Sequence, residues 1–159
     1  MKALKKWFPL ISLVAGVLAL VMLFLPALKM DIMGVKENYN GLKVAFGNKD
    51  AGFGFSIMNL LPFVLAIVGG VLAFLGTKKG NKIFAYVAIA CFVVAAVFFF
   101  MAVNFAQPSK EAIDMYGSKK LAKDMMEEIL DLGIGSILAA IFSLLGAVAV
   151  VLDTFVVKE

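Results

Sequence analysis

Residues 83–109 read IFAYVAIACFVVAAVFFFMAVNFAQPS, an uninterrupted run of 27 residues without a single charge. A helix rising 1.5 Å per residue needs about 20 residues to cross the roughly 30 Å of hydrocarbon in a bilayer, so this stretch is long enough to span one. Three further uncharged runs match it: Trp7 to Leu28 (22 residues), Ala51 to Thr77 (27) and Leu132 to Leu152 (21). Hydrocarbon offers no water to pair with backbone amides, so each run must satisfy its own as a helix. The expected fold class is therefore an all-α membrane protein, a four-transmembrane-helix antiparallel bundle. The whole chain, 1–159, forms one such domain, with spans at about 8–28, 56–77, 83–105 and 132–152 and outer loops at 29–55 and 106–131.

Composition agrees. The 159 residues are 63% hydrophobic, with a mean hydropathy of +1.01, against roughly 45 to 50% apolar usage in soluble domains. Within the runs, Pro9 fits a first helical turn and Pro26 closes the first span, while Pro62 marks a kink in the second. Gly52 and Gly54 delay the second helix to about Ser56, and Gln107 with Pro108 ends the third near Phe105.

Sidedness follows from lysine placement. Lys2, Lys5 and Lys6 precede the first span, and Lys78, Lys79 and Lys82 crowd the short link between the second and third. Tightly flanking lysines mark the cytosolic side, so a plasma-membrane protein with both termini in the cytosol is expected. With Lys158, Asp153 and Glu159 included, the inner segments carry five net positive charges and the outer loops one net negative, which makes up the formal +4 of the chain. The basic amino terminus also suits a leader. However, its apolar stretch is longer than a leader's and no small-x-small cleavage site follows, so a retained anchor is expected.

In lipid, apolar surface alone does not draw helices together, and small residues that admit close backbone approach become the packing device. Gly135, Ala139, Ser143 and Ala147 repeat every fourth position in the last span. Ala66, Gly69, Ala73 and Gly76 recur at helical spacing in the second, as do Ala88, Cys91, Ala95 and Ala102 in the third and Ser12, Ala15 and Ala19 in the first. These stripes serve either packing within one bundle or assembly into a homo-oligomer. Asn59 and Asn104 fall toward the outer side, where they either face each other or meet a neighbouring helix or headgroups.

Both outer loops carry structure. Leu28, Met30 and Ile32 alternate with Lys29 and Asp31, the period of a half-buried strand. Gly34 permits a turn, and Val35 to Tyr39 return as a second strand, giving a β-hairpin-like cap. Asn40 caps a short helix that Gly47 ends. In the second loop Ser118 is a helix cap, and Leu121, Met125, Ile129 and Leu132 repeat at helical spacing, so the last span is expected to begin as a helical extension outside the membrane.

Several chemistries drop out. The chain contains no Arg and no His, which removes histidine bases, histidine-ligated metals and arginine fingers. Cys91 is the only cysteine, so no disulfide forms within the chain. No charged residue lies in a helical core, which disfavours ion-coupled transport. The scattered lysines do not suit nucleic acid. No catalytic, metal or cofactor-binding residues are expected, and an enzyme built on Asp153 or the outer carboxylates is the least favoured reading. The lipid bilayer is the expected partner, followed by a protein, envelope or lipid contact through the outer loops. An oligomeric channel or transporter is the alternative.

Tyr39, Asn40, Gly41 and Leu42 form an aromatic-x-Gly-Leu step before the second span. Together with four spans and a larger first outer loop that opens as a hairpin, this resembles the claudin and peripheral-myelin-protein group of tetraspan proteins. Lys43 stands where claudins carry a second aromatic, and their paired loop cysteines are missing. The resemblance implies an architecture, a small sheet joined to a helical bundle, with Tyr39, Gly41 and Leu42 as its loop motif; barrier or adhesion function does not carry over. The chain also resembles four-helix membrane proteins of Gram-positive bacteria.

Overall fold

A computed structural model describes residues 5–156. In chain order the elements are α1 (Phe8–Val21), a 3-10 turn (Met22–Phe24), β1 (Pro26–Ile32), β2 (Val35–Asn40), α2 (Gly41–Phe46), α3 (Ile57–Lys79), α4 (Lys82–Phe100), α5 (Ala102–Phe105), α6 (Lys110–Tyr116), α7 (Lys119–Ile129), β3 (Leu130–Leu132) and α8 (Ile134–Val151), which runs into a π turn at Leu152–Val156. Three helices, α3, α4 and α8 with its π turn, are long and apolar enough to cross a membrane; Phe8–Phe24 is apolar but shorter. Lys2, Lys158 and Glu159, used above for sidedness, lie outside the described residues.

The chain divides into two compact units. The first, helical, comprises 1–21, 62–97 and 139–159. Its small residues are enclosed: Ser12, Ala66, Ala88, Ala95, Ala139 and Ser143 have almost no exposed surface, while Val14, Val68, Val93, Val97, Leu145 and Val148 face outward. The helices approach closely wherever a glycine leaves room. A Cβ on Gly16 would stand 2.5 Å from the Ala66 carbonyl oxygen, and one on Gly146 would meet the Phe92 ring at 2.7 Å. Phe92, fully buried, fills the space left by Gly69 on α3 and Gly146 on α8. The Ser12 hydroxyl is within reach of its own helix at the Phe8 carbonyl (3.0 Å) and of the Gly146 carbonyl (3.4 Å).

The second unit comprises 22–61 and 98–138 and holds a three-stranded sheet in the order β2-β1-β3. The β1–β2 hairpin pairs Leu28 with Tyr39, Met30 with Glu37 and Ile32 with Val35. It turns at Met33 (φ 52°) and Gly34 (φ 87°), and positive φ at both positions is the primed geometry whose twist matches a two-residue hairpin. The Asp31 carboxylate accepts from the Gly34 amide at 3.2 Å. Asn40 caps α2 by accepting from the Lys43 amide, and Gly47 ends it. Ser109 and Ser118 cap α6 and α7 in the same way. The core gathers Leu28, Tyr39, Val44, Phe53, Met126 and Leu130, with the Tyr39 and Phe53 rings edge to face at 5.0 Å.

Several expectations change. The first helix does not continue to residue 28: it gives way after Val21 to a 3-10 turn and then to β1, because the alternation at Leu28, Met30 and Ile32 pairs with β2 as far back as Pro26 opposite Asn40. The last helix begins at Ile134 rather than 132, and it is not a continuous extension of α7. Leu130–Leu132 instead pairs antiparallel with β1, and the Gly133 amide donates to the Ala27 carbonyl at 2.8 Å. That crossing demands glycine, since a Cβ on Gly133 would lie 2.2 Å from the Pro26 carbonyl oxygen. The third helix breaks at Met101 before resuming to Phe105, and the second runs two residues past 77 to Lys79. Asn59 and Asn104 form no pair: Asn104 is exposed, whereas the buried Asn59 carboxamide has no hydrogen-bond partner among the described residues.

Candidate functional site

One face of the hairpin forms the floor of a groove of about 520 Å³. Strand periodicity selects its residues: Met30 and Ile32 on β1, and Val35, Glu37 and Tyr39 on β2, share that face because the register sets them opposite one another. The walls come from elsewhere in the second unit. Lys49 to Gly52 supply one side, Glu111, Ala112, Met115 and Tyr116 of α6 another, and Met126 with Ile129 of α7 close the end. A volume of this size, mostly apolar with a few polar groups, falls within the range of ligand-binding clefts, roughly 300 to 1,000 Å³. Its methionines are unbranched and polarisable, which suits a surface that adapts to an apolar guest.

The polar groups are anchored. The Tyr39 hydroxyl donates to the Glu37 carboxylate and lies 4.0 Å from the Met30 sulfur. Burial first, then the hydrogen bond and charge of Glu37, push the Tyr39 phenol up to about 12, so it stays neutral and holds Glu37 in place. Lys49 pairs with Glu111 at 3.8 Å on the rim. The Glu111 carboxyl is held below its ordinary range by its own backbone amide, with Ser109, Lys49 and Lys110 contributing. Glu37, Asp50 and Glu111 against Lys49 leave the lining with two net negative charges. Among the described residues, no group of three or more His, Cys, Asp or Glu side chains is arranged to hold a metal ion.

The residues singled out from the sequence scatter. Tyr39 is part of the floor, but Gly41 and Leu42 belong to α2 and do not line the groove. Ala66, Gly69 and Ala73 on α3 and Ala139, Ser143 and Ala147 on α8 are buried in the helical unit. Gly135, the first of its stripe, lies in the second unit, where a Cβ would meet the Pro26 carbonyl oxygen at 2.9 Å. Sequence reasoning missed Glu37, Met115 and Met126 as site residues. The signal was present only in part, as the surplus of apolar residues on one face of an otherwise charged hairpin. No protein family model, curated protein or solved structure matches the chain.

Proposed function

We propose that this chain is a non-enzymatic accessory protein of the plasma membrane. It crosses the bilayer four times as an antiparallel bundle with both termini in the cytosol, and its outer segments receive a partner protein in the groove above β1 and β2. The carrying observation is that groove: an apolar cleft of about 520 Å³ with a net-negative lining. The occupant that fits is an extended apolar segment flanked by lysine or arginine, whose cation meets Glu37 or Asp50.

The membrane reading draws support from α3, α4 and α8, and α1 counts as the fourth span. Its 14 α-helical residues and three-residue 3-10 turn rise roughly 27 Å, close to the hydrocarbon thickness. Inner sidedness draws on Lys78, Lys79 and Lys82. The small-residue stripes that motivate an oligomeric pore are largely buried within a single chain, so the accessory reading takes precedence.

Sidedness is tested by replacing Cys91 with Ala and placing single cysteines at Lys36, Lys120 and Lys79. An impermeant maleimide on intact cells should label the first two and spare the third; the reverse pattern rejects the topology. For the groove, a photocrosslinking residue at Met115 and another at Val35 should join the same partner, and filling the groove with Ala112→Trp should abolish both adducts. Adducts indifferent to that substitution would reject the site.

A further inference from the structure

A second cavity, of about 500 Å³, lies within the helical unit and is of the opposite character. Lys5 and Pro9 at the start of α1, Thr77 at the end of α3, Lys82 at the start of α4, and Asp153 beyond α8 converge on it. The Asp153 carboxylate is only half used. Oδ2 accepts from the Thr77 hydroxyl at 2.9 Å, while Oδ1 is buried and has no hydrogen-bond partner among the described residues. A buried carboxylate oxygen left unpaired is costly, so the site favours a guest that brings a donor, best a charged one. Lys82 supplies positive charge on the same lining, suited to an anion. Small neighbours, Ala73, Gly76 and Ala85, keep the space open.

The surroundings fix the level at which the guest arrives. Lys78 lies over the Phe74 ring at 4.6 Å, Lys79 over Phe84 at 5.8 Å, and the Tyr86 and Phe155 rings meet at 5.5 Å with their planes tilted by 50°. Aromatics and lysines gathered at helix ends are the residues that sit among lipid headgroups.

We infer that this cavity binds a phosphate ester carrying a primary ammonium, the headgroup of an aminophospholipid such as phosphatidylethanolamine. The ammonium donates to Asp153 Oδ1 and the phosphate meets Lys82. A quaternary ammonium has no N–H to give and a glycerol headgroup has no cation, so phosphatidylcholine and phosphatidylglycerol each satisfy only half of the site. The inference uses the membrane reading and is independent of the groove.

The test reconstitutes the full chain in nanodiscs containing equal parts of the three lipids and reads retained lipid by native mass spectrometry. Phosphatidylethanolamine should be retained on the order of tenfold over either competitor, the ratio expected from one hydrogen bond to a charged group. Asp153→Asn should reduce that preference to about twofold or less, while Lys82→Gln should weaken retention of all three phosphates without changing their order. Equal retention of the three lipids by the unaltered chain, which needs no variant to fold, would overturn the site, as would an undiminished preference in Asp153→Asn. Free phosphoethanolamine distinguishes the source: displacement of the lipid at millimolar concentration assigns the same chemistry to a soluble ester, and no displacement assigns it to the bilayer. Failure to enter nanodiscs would count against the membrane reading, not against the cavity's preference.

Discussion

In the helical unit Ala66, Ala88, Ala139 and Ser143 are enclosed while Val64, Val93, Leu145 and Val148 face outward; in the sheet-bearing unit Leu28, Tyr39, Phe53 and Leu130 are enclosed and most lysines and acids face outward. The two patterns are inversions of each other, and the reason is the solvent each surface is built for. Water expels large apolar side chains, at about 25 cal/mol for each Å² buried. A bilayer is indifferent to them, and there close packing through small residues decides what goes inside. The same amino acids are thus sorted by size in one unit and by polarity in the other. Ile32, Met33, Val35 and Met115, at the hairpin tip and groove, break the second pattern, as do Phe24, Phe46, Phe55 and Ile57 elsewhere in that unit.

The comparison can be broken by placing one substitution in both units. Phe53 and Phe92 are both fully buried. Phe53→Ala should cost about 3 to 5 kcal/mol, the usual sum of lost transfer and a residual cavity. Phe92→Ala should cost roughly half of that or less, because the unfolded helix also keeps its side chain in oil and only packing is lost. Unfolding in mild detergent, read by protease sensitivity in each unit, measures both; equal losses would mean that the helical unit folds in water.

Exposed valines give the next largest contrast. Val94 is 41% exposed and Val35 is 64% exposed. Val94→Lys, near the middle of α4, should raise the cost of membrane insertion by about 2.5 to 3.5 kcal/mol, visible as loss of the protein from the membrane fraction. Val35→Lys should change stability by no more than about 0.5 kcal/mol, while shifting the charge of the groove against a basic partner.

Smaller effects sharpen the picture of the water-facing unit. Ser118→Ala removes the acceptor for the Leu121 amide and should cost about 1 kcal/mol, read as fraying of α7 by amide exchange. Tyr39 gives a pH signature. Its phenol is pushed up to about 12 in the fold from an ordinary value of 10.0, so between these values the folded state holds a proton that the unfolded state has lost. Stability from this group is therefore complete below pH 10 and declines as pH rises toward 12. Absorbance of the phenolate should show one tyrosine ionising near pH 12, and Glu37→Gln should bring that transition down.

Much of this was readable in advance where the signal is local. The hairpin declared itself because charge and apolarity alternate over Leu28 to Ile32, and Asn40, Gly47 and Ser118 sit where their capping chemistry is needed. β3 was hidden for a physical reason: Leu130-Asp131-Leu132 is too short to show alternation, Ile129 and Leu132 continue a helical spacing, and its partner β1 is more than half the chain away. The groove was hidden likewise, since its floor and walls come from segments distant in sequence. The stripes were legible as small residues, yet the two closest approaches within the helical unit fall at Gly16 and Gly146, outside those stripes, because the crossing of two helices, not the repeat within one, chooses the contact point.

The antiparallel match of β1 with β3 has one more consequence. A nick in the exposed link at Gly80 would leave each fragment holding one side of that pairing, with β1 on the first and β3 on the second. Two separately expressed pieces, 1–80 and 81–159, should therefore find each other and restore a working whole, a natural split reporter whose reassembly is zipped by three residues.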